Sequence, residues 1–243
     1  VIQSGNDASV AVAEYIAGSE DAFADLMNQQ ARLLGMENSN FRNATGWPAE
    51  GHLSSARDLA ILAREIVSEF PEHYAYYSER EFTYGTDFQT GEPITQRNRN
   101  GLLWLDQSVD GIKTGHTEEA GYCLVASAER DGMRLISVVM GTDSMSAREQ
   151  ESQTLLRYGF RFFETLEVYT GGEELERQQV WKGTSEEVAV GLPEDLVLTL
   201  VRGRYEDLEA TITVEPWLTA PLAEGEQVGT LAVSLDDEVL HEG

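Results

Sequence analysis

The segment at positions 109–128, VDGIKTGHTEEAGYCLVASA, constrains the fold more than any other part of the chain. Its centre is the triplet Lys113-Thr114-Gly115, and β-branched and aromatic residues on both sides, with a further such run at 135–140, predict neighbouring strands. At a strand edge the ammonium attracts a carboxylate and the hydroxyl donates a hydrogen bond to it. Glycine lets a substrate backbone lie close to the strand. The segment therefore predicts a binding surface on a sheet.

Lysine usage adds weight to this triplet. Lys113 and Lys182 are the only lysines, and every other basic residue is an arginine or a histidine. Lysine is a compact point charge whose pKa shifts readily when it is buried, whereas arginine stays charged. A functional role for Lys113 is favoured over the alternative of an ordinary surface lysine on a strand.

The charge of the chain excludes one class of partner. The formal net charge of -26 and the pI near 4.3 disfavour nucleic acid, because its phosphates would be repelled. The acidic residues are spread along the chain, which is typical of a solvated surface and, with scarce lysine, suggests a high-salt habitat. The single cysteine, Cys123, cannot form an internal disulfide.

Capping residues and apolar periodicity predict three helices before position 71, with an ordered loop at 37–53 that is rich in Asn, Gly and Pro. A hairpin is expected at 80–100, strands up to position 140 and a helix from Ser146. The three early helices are predicted to begin at Asp7 or Ser9, at Ser19, and at Ser54 or Ser55, and the first is predicted to end at Gly18.

The pattern of apolar and polar residues changes after position 164. Short alternating apolar segments are separated there by Gly, Pro and acidic turns, which predicts an all-β domain, a small sandwich. We place the boundary at 165/166, giving domains 1–165 and 166–243. The chain ends soon after a predicted strand, so we expect the second domain to be truncated.

Ser4-Gly5-Asn6 and Lys113-Thr114-Gly115 are two of the three elements of penicillin-recognising serine acyl-transfer enzymes. Five segments resemble low-molecular-mass penicillin-binding proteins that are D-alanyl-D-alanine carboxypeptidases: SGNDASVAVAEYIAGSEDAF, GHLSSARDLAILAREI, QRNRNGLLW, VDGIKTGHTEEAGYCLVASA and RYGFRFFET. The resemblance implies an α+β fold: an antiparallel sheet flanked by helices, as in β-lactamases and transpeptidases, and then a small all-β sandwich.

The resemblance also implies roles for the residues of the two elements. Ser4 would relay a proton toward the leaving group, Asn6 would hydrogen-bond the substrate's amide, and Lys113 would share a hydrogen bond with Ser4. Lys113 and Thr114, followed by Gly115, would receive the terminal carboxylate of D-alanine.

Three further residues are implied near this site. The backbone N–H of His116 would be one of two oxyanion-hole donors, a kind of group whose loss costs on the order of 10²–10³ in rate. Arg99 and Arg148 match arginines that lie near the site in the family. In so acidic a protein, surface salt bridges are an equally simple interpretation of both arginines.

The first element of the family, a Ser-x-x-Lys pair on a helix, is absent. The residues three positions before the two lysines are Asp110 and Gln179, so this chain alone cannot form the acyl-enzyme. We favour a fragment whose missing N-terminal segment carries Ser-x-x-Lys. A non-catalytic peptidoglycan-binding pseudoenzyme and a β-lactamase-like hydrolase are the alternatives.

The resemblance implies a parent enzyme of the bacterial periplasm that removes the terminal D-alanine from peptidoglycan peptides ending in D-Ala-D-Ala and is acylated by β-lactams. It also implies an amphipathic C-terminal helix, absent here, that anchors the parent to the inner membrane. We expect no cofactor and no metal, because the histidines are scattered. The tryptophans are interpreted as packing residues, with Trp47, in its loop, the one to test as a sugar platform. The histidines are His52, His73, His116 and His241, and the other tryptophans are Trp104, Trp181 and Trp217.

Overall fold

A computed structural model describes all residues of the chain, 1–243, as two compact units. The first is Val1–Phe160 and the second is Arg161–Gly243. The predicted boundary at 165/166 falls inside the first strand of the second unit, Phe163–Tyr169, so the division between compact units lies a few residues earlier.

The first unit contains helices and antiparallel sheets, which confirms the predicted fold class. Its sheets are a two-stranded hairpin, β1-β2, and a three-stranded sheet of order β3-β4-β5. The helices are α1 Asn6–Ala17, α2 Glu20–Leu33, α3 Ala56–Glu69, α4 Pro71–Tyr74, α5 Leu102–Leu105 and α6 Met145–Phe162, and the strands are β1 Glu81–Thr86, β2 Pro93–Arg97, β3 Val109–Thr117, β4 Gly121–Arg130 and β5 Met133–Thr142.

Side-chain caps begin two of the three early helices as predicted. The hydroxyl of Ser19 accepts a hydrogen bond from the Ala22 N–H at 3.2 Å, and the hydroxyl of Ser55 caps α3 in the same way. The prediction that Asp7 or Ser9 caps α1 is wrong: Gly5 is the N-cap, so both residues lie inside the helix.

Apolar side chains pack against both faces of the three-stranded sheet. On one face, buried Leu124 and Ala126 of β4 contact Leu102 of α5 and Leu156 of α6. The other face packs Ile112 of β3 against a second cluster, formed with Ala63 and Tyr74. Because each buried Leu or Ile side chain contributes roughly 1.5–3 kcal/mol, these layers fix β3 from both sides.

A hydrogen-bonded network lies at the beginning of β3. Asp110 accepts from the Tyr74 hydroxyl at 2.5 Å and from the Arg134 guanidinium at 2.7 Å. Arg134 also donates to the Ser127 hydroxyl at 2.7 Å and contacts Glu129. Burial and the bond to Asp110 raise the pKa of Tyr74 well above its usual range. Tyr74 is therefore a neutral donor that ties α4 to β3.

Two close contacts hold Gly111, the next residue of β3. The carboxamide of buried Asn100 donates to the Gly111 carbonyl at 3.0 Å, and its oxygen accepts from the Leu102 N–H at 3.2 Å. A Cβ at position 111 would lie 2.8 Å from the Tyr74 hydroxyl, so any other residue would require Tyr74 or β3 to move. The hydrogen bond from Asn100 and the close approach of Tyr74 together hold β3 in register two residues before Lys113.

The second unit is all-β, as predicted, and comprises eight strands in three small sheets, β6-β9, β8-β7-β11 and β10-β12-β13. Its core contains Leu196, Leu231 and Val233. Nowhere in the chain is there a helix with the length and apolar character to cross a membrane. The strands are β6 Phe163–Tyr169, β7 Glu176–Trp181, β8 Glu187–Val190, β9 Leu196–Val201, β10 Glu209–Val214, β11 Leu218–Thr219, β12 Gly229–Leu235 and β13 Glu238–Glu242.

Candidate active site

The triplet Lys113-Thr114-Gly115 lies on β3, which is the edge strand of its sheet. Thr114 is buried, Lys113 is half-buried and Gly115 is exposed. An edge strand presents unpaired backbone N–H and C=O groups, with which an extended peptide can pair as an added strand. The sequence therefore places an ammonium, a hydroxyl and a free backbone edge at one location.

Lys113 is in an environment that disfavours its charge. Its ammonium donates to the Thr114 carbonyl at 2.7 Å. Burial, together with the positive charges of Arg99 and Arg148, lowers the pKa of Lys113 to about 8. Unlike an exposed lysine, it can therefore release a proton near neutral pH. The hydrogen bond predicted between Lys113 and Ser4 is not formed in this chain, where the ammonium uses the carbonyl of its own strand instead.

Arg148 is almost fully buried, which excludes the alternative of a surface salt bridge for this residue. Its guanidinium donates to the carbonyls of Gly115 at 3.2 Å and Arg99 at 3.3 Å. Burial lowers the pKa of Arg148. Arg148 thus joins the end of the triplet to the segment that carries Arg99, whose own side chain is exposed.

Lys113, Arg99 and Arg148, which we call the cation cluster, have no carboxylate within ion-pairing distance. Only six of the 17 basic residues form an ion pair, so the cluster stands apart by the burial of Lys113 and Arg148 and by its position at the triplet. Uncompensated cations around an open strand edge attract an anion, and the adjacent Thr114 hydroxyl suits a carboxylate. The arrangement is chemically suited to hold the carboxylate end of a peptide.

Ser4 and Asn6 line the same cavity as the triplet and Arg99, and the volume of this cavity is about 1460 Å³. Ser4 adopts a left-handed backbone conformation, φ +58°, directly before α1, and Asn6 is the first residue of that helix. The structure therefore brings together residues that are more than 100 positions apart. Arg148 and His116 do not line the cavity.

A second part of the cavity wall is apolar. Helices α1, α2 and α3 and the sheet all contribute aliphatic or aromatic side chains to it, so a large hydrophobic concavity adjoins the cation cluster. These residues include Val12, Phe23, Leu59, Leu62, Ile66, Ile112, Leu124, Val125, Val139 and Met140.

The side chain of His116 makes a ring contact that the sequence did not reveal. Its exposed ring stacks on Tyr122 of β4, with centroids 3.9 Å apart and planes 31° apart. The Arg148 guanidinium lies 5.8 Å from the Tyr122 ring. Tyr122 thus separates the imidazole from a buried cation. Antiparallel pairing across the turn at 118–120 is the signal that could have identified this contact.

Comparison with known proteins identifies the family of this chain. The family model described as D-alanyl-D-alanine carboxypeptidase matches residues 1–144, which include both Ser4-Gly5-Asn6 and the triplet. The chain belongs to the D-alanyl-D-alanine carboxypeptidase family. A model described as penicillin-binding protein 5, C-terminal domain, matches residues 163–242 of the second unit.

Individual members of the family resemble the chain along nearly all of its length. D-alanyl-D-alanine carboxypeptidase DacA of Escherichia coli K12 is 45% identical over 99% of this chain and 59% of its own length. DacF of Bacillus subtilis 168 is 38% identical over 99% of this chain and 61% of its own length. The chain thus spans about three fifths of such relatives.

The fold is also similar to that of a solved structure. Penicillin-binding protein 5 from Haemophilus influenzae superposes with a TM-score of 0.82 at 41% identity, covering 99% of this chain and 69% of that structure. The fold class expected from the sequence is thereby confirmed. The roles of the individual site residues remain predictions.

Proposed function

We propose that this chain is the substrate-binding part of a serine-type D-Ala-D-Ala carboxypeptidase that removes the terminal D-alanine from peptidoglycan peptides and is acylated by penicillin. The observation that carries the proposal is the half-buried Lys113 on an edge strand, which has a lowered pKa and lines one cavity with Arg99, Ser4 and Asn6. Membership of the family supports the same reaction.

The geometry supports a definite orientation of the peptide. The terminal carboxylate binds Lys113 and the Thr114 hydroxyl, and the peptide backbone lies along the free edge of β3. Asn6 holds the next amide. The backbone N–H of His116 is one of two donors to the oxyanion, and Arg99 and Arg148 raise the local positive potential.

The nucleophile belongs to a Ser-x-x-Lys segment outside this chain, and we propose that this segment packs into the apolar part of the cavity. The lysine of that segment accepts the hydroxyl proton of its serine, the serine oxygen attacks the carbonyl carbon between the two D-alanines, and the C–N bond breaks. The same proton is relayed through Ser4 to the nitrogen of D-alanine, which then leaves. Water then hydrolyses the ester and regenerates the serine. Lys113, whose pKa is about 8, shapes the field in which these protons move.

The proposed location of the parent protein is the bacterial periplasm, where its peptidoglycan substrate lies. We also propose that an amphipathic helix beyond the second unit attaches the parent to the inner membrane. Fractionation of cells that express the full gene, with and without the sequence that follows the second unit, tests this attachment.

The product of the full gene is the material for the decisive experiment. Intact mass spectrometry after incubation with benzylpenicillin should show one added drug mass, and a peptide ending in D-Ala-D-Ala should release free D-alanine. Binding of the peptide with no adduct and no release would instead establish a pseudoenzyme. Rapid release of hydrolysed penicillin would establish a β-lactamase-like hydrolase.

A further inference from the structure

We propose that Trp47 is a positioning residue of the site, which orients the carboxamide of Asn6 for the substrate amide. The inference rests on the proposed function. With the Asn6 oxygen facing Trp47, the indole N–H donates to it at 2.7 Å, and the Asn6 nitrogen donates to the Ser4 carbonyl at 3.3 Å. The opposite orientation would set donor against donor, so the indole selects one of the two possible states.

The loop that presents Trp47 is held in a single conformation. The side-chain oxygen of Asn43 accepts from the backbone N–H groups of Gly46 at 2.8 Å and Trp47 at 3.1 Å, and its nitrogen donates to the Trp47 carbonyl at 2.9 Å. Glu20 of α2 accepts from the Ala44 N–H at 3.0 Å. These bonds hold the backbone of the loop against α2, and the hydrogen bond to Asn6 orients the indole on it.

The hydrogen bond from Trp47 decides what Asn6 offers to a ligand. Because the carboxamide oxygen is already occupied and one N–H is directed to Ser4, the second N–H remains for a substrate carbonyl. The indole is 66% exposed, and both residues line a smaller cavity of about 360 Å³. A ligand amide can therefore reach Asn6 beside the ring.

The full-length protein with Trp47→Phe tests the proposal, since phenylalanine keeps an aromatic ring and removes the N–H donor. Loss of one hydrogen bond should lower the second-order rate constant of acylation by benzylpenicillin about three- to ten-fold. The matched probe is 6-aminopenicillanic acid, which lacks the side-chain amide, and its rate constant should change less than about two-fold. A merely structural role of Trp47 would slow both reactions equally and would overturn the proposal.

Two further variants complete the test. Trp217→Phe makes the same change at an exposed tryptophan of the second unit and should alter neither rate constant. In an Asn6→Ala background, Trp47→Phe should have no further effect on benzylpenicillin, because its partner is gone. Additive losses in the double variant would contradict the proposal.

Failure of the proposed function would be recognised separately, because the wild-type protein would then form no adduct with either probe. Hydrogen exchange of the Trp47 indole N–H, followed by NMR in the 243-residue chain, then tests the contact itself. Exchange should accelerate in Asn6→Ala if the indole donates to Asn6. An unchanged exchange rate would overturn the inference.

Discussion

Two groups of cationic side chains at the three-stranded sheet, one on its strands and one around Lys113 of β3, have opposite surroundings. Arg130 and Arg134, at one end of the sheet, each meet a carboxylate, Asp106 at 2.6 Å and Asp110 at 2.7 Å respectively. The cation cluster around Lys113 meets none. Paired arginines join strands and helices, whereas a cation without a carboxylate in so acidic a chain is available to an external anion. We therefore interpret Arg130 and Arg134 as structural and the cation cluster as part of the proposed site.

The largest effect is expected for Lys113→Ala in the full-length protein. The variant removes both a carboxylate contact and a group near the transferred protons, so the acylation rate by penicillin should fall on the order of 10²–10⁴-fold. Stopped-flow measurement with a fluorescent penicillin provides the rate. Lys182→Ala removes the other lysine and should leave it unchanged; an unaltered rate in Lys113→Ala would assign Lys113 to the structural group.

The pH dependence of stability provides the second test, on the 243-residue chain. The pKa of Lys113 is about 8 in the folded chain and ordinarily 10.5, so the unfolded chain holds the proton more tightly between these values. The contribution of Lys113 to the free energy of unfolding should therefore rise by about 3 kcal/mol as pH rises from 8 to 10.5, while the raised pKa of Tyr74 works in the opposite direction near pH 10.

Urea denaturation at both pH values measures this rise, which Lys113→Met should abolish and Lys182→Met should retain. A rise that persists in Lys113→Met would show that another group titrates. If the wild type and Lys113→Met showed the same pH profile, Lys113 would have an ordinary environment, and the contrast between the two groups would fail.

Removing the carboxylate partner of a paired arginine should lower the free energy of unfolding. Asp110→Ala leaves the Tyr74 hydroxyl without its acceptor and removes one of the two carboxylates that Arg134 contacts, and both members of the Arg134–Asp110 pair are less than one-third exposed. We expect a loss of about 2 kcal/mol in the free energy of unfolding, between the values for exposed and buried pairs. Glu174→Ala breaks the exposed pair with Arg177 and should cost clearly less than Asp110→Ala.

The smallest effect on stability is expected for Arg99→Ala. Its side chain is exposed and has no carboxylate partner, so the free energy of unfolding should change by less than about 0.5 kcal/mol. Arg134→Ala, the same change at a paired arginine, is the matched control and should destabilise as Asp110→Ala does. A clear destabilisation by Arg99→Ala would indicate a structural contact and would weaken the distinction between the two groups.

Local sequence signals predicted most of the fold. The caps at Ser19 and Ser55, the left-handed Gly18 after α1, the hairpin and the strands around Lys113 were readable because each depends on residues close in sequence. Gly5 was missed as the α1 cap because glycine caps a helix through its backbone and provides no side-chain signal.

Contacts between distant positions were not predictable in this way. Tyr74 meets Asp110 across 36 positions, and Arg148 meets the Arg99 carbonyl across 49, with no periodicity to connect them. The resemblance to the family supplied the residues of the site, and the structure added their charge environment. The contact between Trp47 and Asn6 was not predictable, because Trp47 lies in an irregular loop and no periodic pattern relates that loop to α1.

The close approach of the Tyr74 hydroxyl to Gly111 limits which substitutions the protein can accept during evolution. Any replacement of Gly111 adds a Cβ 2.8 Å from that oxygen, so it must push back Tyr74 or displace β3 and with it Lys113. Variation at positions 74 and 111 is thus coupled: a side chain at 111 leaves β3 in place only where Tyr74 moves or has been replaced by something smaller. A lineage that loses Gly111 and keeps Lys113 where it is must therefore adjust a residue that lies outside the triplet.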